Sequence, residues 1–217
     1  MMQHLQTDIL ISATPQQIWD VLIIIGVSIV GLIKEDFRDK HILLPYDMLI
    51  YKEYWRIITS GFVHGNTTHL LLNSMTFFFF SFMVEVKIGH LEFAVLYLAS
   101  LLISNAFVVL RYYNDTGYDG SLGASGAISG VVLAAVMLNP HLTFGIPIVS
   151  DYLPFLTLPA YIAAGIYILY TTISMFLPIN HTINHLAHLT GACAGIALSF
   201  LLKPGLYDFL VESFKYV

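Results

Sequence analysis

Long apolar stretches separated by polar segments run along most of the chain, and this pattern predicts membrane-spanning helices. A helix that crosses the hydrocarbon core of a bilayer needs about 20 predominantly apolar residues. Six stretches reach or approach this length, and we number them as the first to the sixth predicted span: 19–33, 69–86, 91–110, 126–138, 159–177 and 183–202. We therefore predict an all-α, polytopic membrane bundle of six transmembrane helices.

Two longer connections interrupt the pattern of spans. Residues 34–63 hold 10 of the 23 charged residues, and a connection of that length is more often folded or functional than slack. Residues 139–158 are apolar but contain Pro147 and Pro154, so we expect a loop that lies at the membrane interface.

Composition supports a membrane protein and excludes other classes. Hydrophobic residues make up 57% of the chain and charged residues only 11%, whereas a soluble domain carries about 25% charged residues. An internal disulfide scaffold is excluded because Cys193 is the only cysteine. A net charge of −5 without a cluster of Lys and Arg argues against nucleic-acid binding.

Positive charge is uneven between the two sides that six spans define. The side of the termini carries Lys87, Lys203 and Lys215. The opposite side carries twice as many basic residues, namely Lys34, Arg38, Lys40, Lys52, Arg56 and Arg111. The positive-inside rule, applied alone, therefore puts the termini outside the cytoplasm.

The polar residues inside the spans are the candidates for chemistry. The spans lack Asp and Glu near their centres, which disfavours a proton relay or a charge-driven transporter. They contain Ser, His and Asn instead, and these residues fall into three short motifs.

The first motif is Gly123-Ala124-Ser125-Gly126, at the start of the short fourth span. Ser125 is predicted at a helix N-terminus, where free backbone N–H groups and the helix dipole favour negative charge. The alternative is a packing face of small residues, which is the more common explanation of such a motif taken alone.

The second motif lies on the sixth span, where His188, Gly191 and Gly195 share one helical face. The fourth span has its own pair, Gly126 and Gly130, and paired small residues let two helix backbones approach closely. A contact between serine and histidine across two helices requires such an approach. A structural hydrogen-bonded histidine is the alternative for His188.

The third motif is at the start of the second span, where His69 and Asn73 are four residues apart and point the same way. Both side chains donate hydrogen bonds without a permanent charge, which suits an oxyanion hole. Helix capping and a polar rim are the alternative, and this alternative is favoured for His64.

Together the three motifs resemble the rhomboid family of intramembrane serine proteases, since they occur in the family's order on the second, fourth and sixth spans. Trp55-Arg56 and Glu85-xxx-Gly89 are similar to two further family motifs. The resemblance covers about residues 51–202, which we take as the core of a single domain over 1–217 without an appended soluble domain.

The resemblance implies a catalytic dyad in which Ser125 is the nucleophile and His188 the general base. It also implies an oxyanion site at the segment Gly123-Ala124-Ser125 and at His69 and Asn73. Structural support is implied for six residues, with Arg56 and Glu85 bracing the first loop: Trp55, Arg56, Glu85, Gly126, Gly191 and Gly195.

One position departs from the family. Many rhomboids have an aromatic residue one turn after the nucleophile, where it stacks on the base, but this chain has Ser129 there. An aromatic residue from another span could replace it, and the sequence does not identify that residue.

The resemblance further implies substrates that are single-pass membrane proteins, and no cofactor or metal. It places the protein in the cell (inner) membrane, with cytoplasmic termini and an active site open to the extracytoplasmic side, in conflict with the positive-inside count. The fifth span is implied as a moving gate.

Two other functions remain open at this point. A non-catalytic rhomboid-like protein would bind membrane helices for quality control and is expected to lack Ser or His. A zinc site is suggested by three histidines spaced along one helix, which two more could join: His181, His185, His188, His64 and His69.

Overall fold

A computed structural model describes residues 15–145, 157–177 and 184–215. In these ranges the chain forms ten α-helices and a minimal pair of antiparallel strands. The helices are α1 (Pro15–Ile33), α2 (Glu35–His41), α3 (Pro45–Ile50), α4 (Arg56–Thr59), α5 (Thr67–Ile88), α6 (His90–Tyr112), α7 (Ser125–Leu138), α8 (Ala160–Ser174), α9 (His185–Leu202) and α10 (Leu206–Phe214). A 3₁₀ turn at Ser60–Phe62 follows α4.

Each of the six predicted spans corresponds to one long apolar helix: α1, α5, α6, α7, α8 and α9. Three of them, α5, α6 and α9, are long and apolar enough by themselves to cross a membrane. The apolar parts of the other three, Trp19–Ile33, Ser125–Leu138 and Ala160–Ser174, are shorter.

Helix α7 forms the centre of the bundle, and eleven of its 14 residues are buried. Helices α5, α6 and α9 surround it, and α8 covers it less closely. The outer surface carries many exposed large apolar side chains, for example Leu71, Leu91, Leu110, Leu169 and Leu201. An apolar exterior around a buried apolar core is what a bilayer-embedded bundle requires.

The closest helix contact is between α7 and α9, and glycine makes it possible. A Cβ atom on Gly191 would overlap the carbonyl oxygen of Gly126, and one on Gly195 would overlap the carbonyl oxygen of Gly130. The two backbones therefore touch directly over two turns, as expected for paired small residues in membrane helices.

The long connection between α1 and α5 is folded into α2, α3, α4 and the 3₁₀ turn. Arg56 is 7% exposed and ties this loop together. Its Nε donates to Glu53 Oε2 at 2.6 Å, and its Nη1 donates to the carbonyl oxygens of Asp39 at 2.9 Å and Ile42 at 2.7 Å.

The same loop supports the segment before α7. Leu43 and Ser121 exchange backbone hydrogen bonds of 2.9 and 3.0 Å, and Gly123 N–H donates to Ser60 O at 2.8 Å. The start of α7 is thus positioned by the first loop.

Two elements were not predicted from the sequence. The ends of the 139–158 connection form the strand pair β1 (Thr143–Phe144) and β2 (Leu158–Pro159), while residues 146–156 lie outside the described ranges. After α9 the chain forms α10, in which Leu206 is buried and Tyr207, Phe209 and Val211 are exposed. Its apolar run is too short and too interrupted by acidic residues to resemble a span.

Candidate active site

Ser125 and His188 lie within hydrogen-bonding distance across two helices. Ser125 is the first residue of α7, and His188 lies one turn into α9. The distance between His188 Nε2 and Ser125 Oγ is 2.8 Å. The glycine contact between α7 and α9 explains this geometry, because Gly191 lies one turn after His188 and touches the residue next to Ser125.

His69, Asn73 and Gly123 meet near Ser125, since Gly123 lies two residues before it. Gly123 has φ +107°, a conformation that favours glycine. The position of a Cβ atom there is 2.9 Å from His69 Nε2 and 3.5 Å from Asn73 Nδ2. A side chain at residue 123 would therefore fill the space on which two potential hydrogen-bond donors converge.

Asn73 is the end of a buried hydrogen-bonded chain that begins on α1. Ser28 Oγ donates to Phe62 O at 2.8 Å and lies 2.7 Å from His64 Nδ1. His64 Nε2 lies 2.8 Å from Asn73 Nδ2. Since the Ser28 proton is used, His64 Nδ1–H donates to Ser28 Oγ, and His64 Nε2 accepts from the Asn73 amide.

This series of hydrogen bonds fixes the orientation of the Asn73 amide. One N–H of Nδ2 goes to His64, which leaves the second N–H free to point towards the space beside Gly123. Burial, and to a lesser extent the neighbouring His69, lower the pKa of His64 to about 3. His64 therefore stays neutral near pH 7 and keeps its acceptor nitrogen.

A cavity of about 400 Å³ opens beside the serine and the histidine. It extends along α7 between α5 and α8, and its lining is largely apolar. The residues of α8 that line it are Ala160, Ala163, Ala164 and Tyr167. Ser125 and His188 are thus reached from a cleft that passes between two outer helices.

The aromatic residue near His188 comes from α8. The ring centroids of Tyr167 and His188 are 6.5 Å apart with an interplanar angle of 29°. The Tyr167 hydroxyl lies 2.7 Å from Ser129 Oγ. From the sequence, Tyr167 was noted only as a residue of the fifth span, the implied gate, and Ser28 was not singled out, because contacts between distant helices have no periodic signature in a single chain.

The remaining predicted residues occupy different parts of the molecule. Ala124 is fully buried and is the N-cap residue of α7. Trp55 is 44% exposed at the start of α4. Glu85 lies near the end of α5, which corresponds to the predicted second span, and its carboxylate is 2.9 Å from His90 Nδ1 at the start of α6. Its role in bracing the first loop stays a prediction.

The proposed metal cluster of histidines is not assembled by the described residues. His185 and His188 are neighbours with ring centroids 6.4 Å apart, and His64 and His69 pack against each other at 4.9 Å. Within the ranges described, no three or more His, Cys, Asp or Glu side chains are placed to hold a metal ion. His181 lies outside those ranges.

Sequence comparison relates this chain to a known domain family and to several of its members. The rhomboid domain family matches residues 51–205. YdcA of Bacillus subtilis, which carries the name of a rhomboid protease, is 32% identical over 151 residues, covering 69% of this chain and 67% of the relative. Rhomboid protease GlpG of Haemophilus influenzae is 33% identical over 95 residues, covering 44% of this chain and 48% of GlpG.

The family also contains relatives named as inactive. Inactive RHOMBOID-like protein 8 of Arabidopsis thaliana is 32% identical over 90 residues, covering 42% of this chain and 25% of that protein. The matches thus cover half or less of GlpG and of the plant protein. From the extent of the domain match and the apolar helices, the chain is an integral membrane protein that belongs to the rhomboid family, a family of intramembrane proteases with inactive members.

Proposed function

We propose that this protein is an intramembrane serine endopeptidase that cleaves transmembrane segments of single-pass membrane proteins. Ser125 is the nucleophile and His188 the general base. The single observation that carries the proposal is the 2.8 Å contact between His188 Nε2 and Ser125 Oγ at the edge of a cavity inside an apolar bundle.

The chemistry follows from these positions. His188 Nε2 takes the proton of the Ser125 hydroxyl while Oγ attacks the scissile carbonyl carbon. The resulting oxyanion is stabilised by Ser125 N–H, Asn73 Nδ2–H and His69, with Gly123 and Ala124 shaping the backbone around it. His188 then gives its proton to the leaving amine, and a water molecule activated by His188 hydrolyses the acyl-enzyme.

We further propose that the single domain crosses the membrane six times, with its core at about residues 51–202. Helix α7 is 14 residues long, which corresponds to about 21 Å, whereas the hydrocarbon core is about 30 Å thick. Ser125 therefore lies below one membrane surface, in a site that water reaches from that side.

The depth of Ser125 limits the substrates. An intact transmembrane helix has its carbonyl groups hydrogen-bonded to N–H groups four residues away, so a cleavable segment must unwind locally. The cleft between α5 and α8 is the entry path for such a segment. We place the termini in the cytoplasm and the site on the extracytoplasmic side of the cell membrane, and a reporter fused to the C-terminus tests this orientation.

The test uses purified full-length protein, a fluorophosphonate probe and a model transmembrane substrate. We expect the wild type to label and cleave, and Ser125→Ala and His188→Ala to do neither. Ser213→Ala is the matched control, because Ser213 Oγ lies on α10 and bonds to Phe209 O at 2.7 Å. Cleavage by folded Ser125→Ala at the wild-type rate would refute the proposal.

The inactive plant relative defines a second candidate, a helix-binding protein without catalysis. That function predicts that the wild type binds a transmembrane segment but forms no covalent adduct at Ser125. The same probe experiment distinguishes the two functions.

A further inference from the structure

Ser129, one turn after Ser125, forms two hydrogen bonds whose directions are fixed by its single hydroxyl proton. Ser129 Oγ donates to the carbonyl oxygen of Ser125 at 2.8 Å, which uses the only proton of its hydroxyl. The 2.7 Å contact with Tyr167 must therefore run the other way, with the phenol O–H donating to Ser129 Oγ. Tyr167 is thus anchored to the first turn of α7.

The anchored Tyr167 ring lies beside His188, and the His185 ring lies at a similar centroid distance of 6.4 Å. The plane of the Tyr167 ring is 29° from that of the imidazole at a centroid distance of 6.5 Å, within the range of favourable aromatic contacts. Among the described residues no carboxylate hydrogen-bonds to His188, which is the usual way of orienting a catalytic imidazole. The Tyr167 ring comes from another helix and is inclined to the imidazole by 29°, whereas His185 lies on the same helix and meets the imidazole edge-on.

We propose that Tyr167 is the positioning residue for His188, and that docking of α8 sets the geometry of the dyad. Only Ala160, Thr171 and Ser174 are buried on α8, whereas α7 is buried along most of its length. A displacement of α8 from α7 withdraws both the ring from His188 and the phenol from Ser129. The imidazole then keeps its bond to Ser125 and its edge contact with His185 on the same helix. This inference rests on the proposed function.

A substrate segment in the cavity reaches the contact between Tyr167 and His188. Tyr167 and three alanines of α8 line the cavity together with Ser125 and His188. A segment that enters between α5 and α8 therefore touches the helix that carries the orienting ring. Because the phenol proton is already donated to Ser129, Tyr167 acts through its position and does not itself transfer a proton.

Tyr167→Leu and Tyr167→Phe separate the ring from the hydroxyl. Leucine keeps apolar bulk but removes the aromatic face, and we expect kcat to fall on the order of 10²-fold with little change in KM, since misplacement by about 1 Å has this effect. Phenylalanine keeps the ring and loses one neutral hydrogen bond, so we expect it to recover kcat to within roughly 10-fold of the wild type.

The hydroxyl contact is tested by Ser129→Ala and by the double variant with Tyr167→Phe. If the two groups act through one bond, the double variant falls no further than either single variant. The pH profile of kcat/KM is measured for each, because a change in the surroundings of His188 shifts its acid limb, whereas a loss of folding does not.

Tyr161→Leu is the matched control on the same helix. Its ring contacts Phe214 at 5.5 Å, away from Ser125 and His188, and we expect unchanged kcat. Thermal unfolding confirms that each variant is folded. The inference is overturned if Tyr167→Leu retains the wild-type kcat and pH profile, or if only its KM changes. A wild type that neither labels nor cleaves refutes the proposed function instead.

Discussion

The two sides of the site are held in different ways. On the Asn73 side, Ser28, His64 and Asn73 form a buried chain in which each polar group has a defined partner. On the His188 side, the imidazole is bonded to Ser125 and covered by a half-buried tyrosine from an outer helix. The proposed oxyanion donor Asn73 is thus held by buried hydrogen bonds, whereas the proposed general base lies against an outer helix on which only Ala160, Thr171 and Ser174 are buried.

This contrast suits the intramembrane protease that we propose. Preorganised donors are effective because they do not reorganise as charge develops on the oxyanion. If the base is aligned only while the outer helix is docked, activity depends on the position of that helix. Separate substitutions can break each part of this arrangement.

The largest effect is expected at the contact between α7 and α9. In Gly191→Ala the new methyl group overlaps the carbonyl of Gly126, so the helices must separate and the Ser125–His188 bond is lost. We expect activity to fall by more than about 10²-fold, and probe labelling to fall with it.

Gly165→Ala is the control for this variant. It adds the same methyl group on α8, where nothing lies within 4 Å of the new Cβ. Because alanine is the better helix former, we expect full activity and an unchanged or higher unfolding temperature. Equal activity of Gly191→Ala and Gly165→Ala would show that the close contact does not hold the dyad.

Some parts of this arrangement can be predicted from the sequence and others cannot. The apolar runs predict the six long helices, and the spacing of Gly126, Gly130, Gly191 and Gly195 predicts that two of them approach closely. Those features depend on residues near each other in the chain. The partnership of Ser129 with Tyr167 joins residues 38 positions apart, and its two side chains are ordinary for membrane helices.

The missed elements have a similar explanation. The strand pair is made by only two residues on each side, too few to show an alternating pattern. Ser28 is one of many small residues in apolar helices. It gains a hydrogen-bonding role because the first loop places His64 Nδ1 2.7 Å from its hydroxyl.

The next effect in size concerns the oxyanion donors. Asn73→Ala removes the amide N–H that faces the space beside Gly123, and we expect kcat to fall on the order of 10²-fold with little change in KM. Ser74→Ala is the neighbouring control, since the Ser74 hydroxyl is buried and has no hydrogen-bond partner among the residues that the structure describes. If both variants turn over at the wild-type rate, Asn73 is not an oxyanion donor.

The smallest effect is expected from Ser28→Ala, which removes the far end of the buried chain. Without Ser28, the His64 Nδ1–H loses its acceptor, and the tautomer that accepts from Asn73 is no longer favoured. We expect kcat to fall by roughly 10-fold or less, since one buried hydrogen bond is lost at a distance from the reacting atoms. Ser81→Ala is the control, because Ser81 is equally buried but donates to Phe78 O within its own helix. A loss in Ser28→Ala that adds to the loss in Asn73→Ala would contradict transmission through His64, because the double variant should then resemble Asn73→Ala alone.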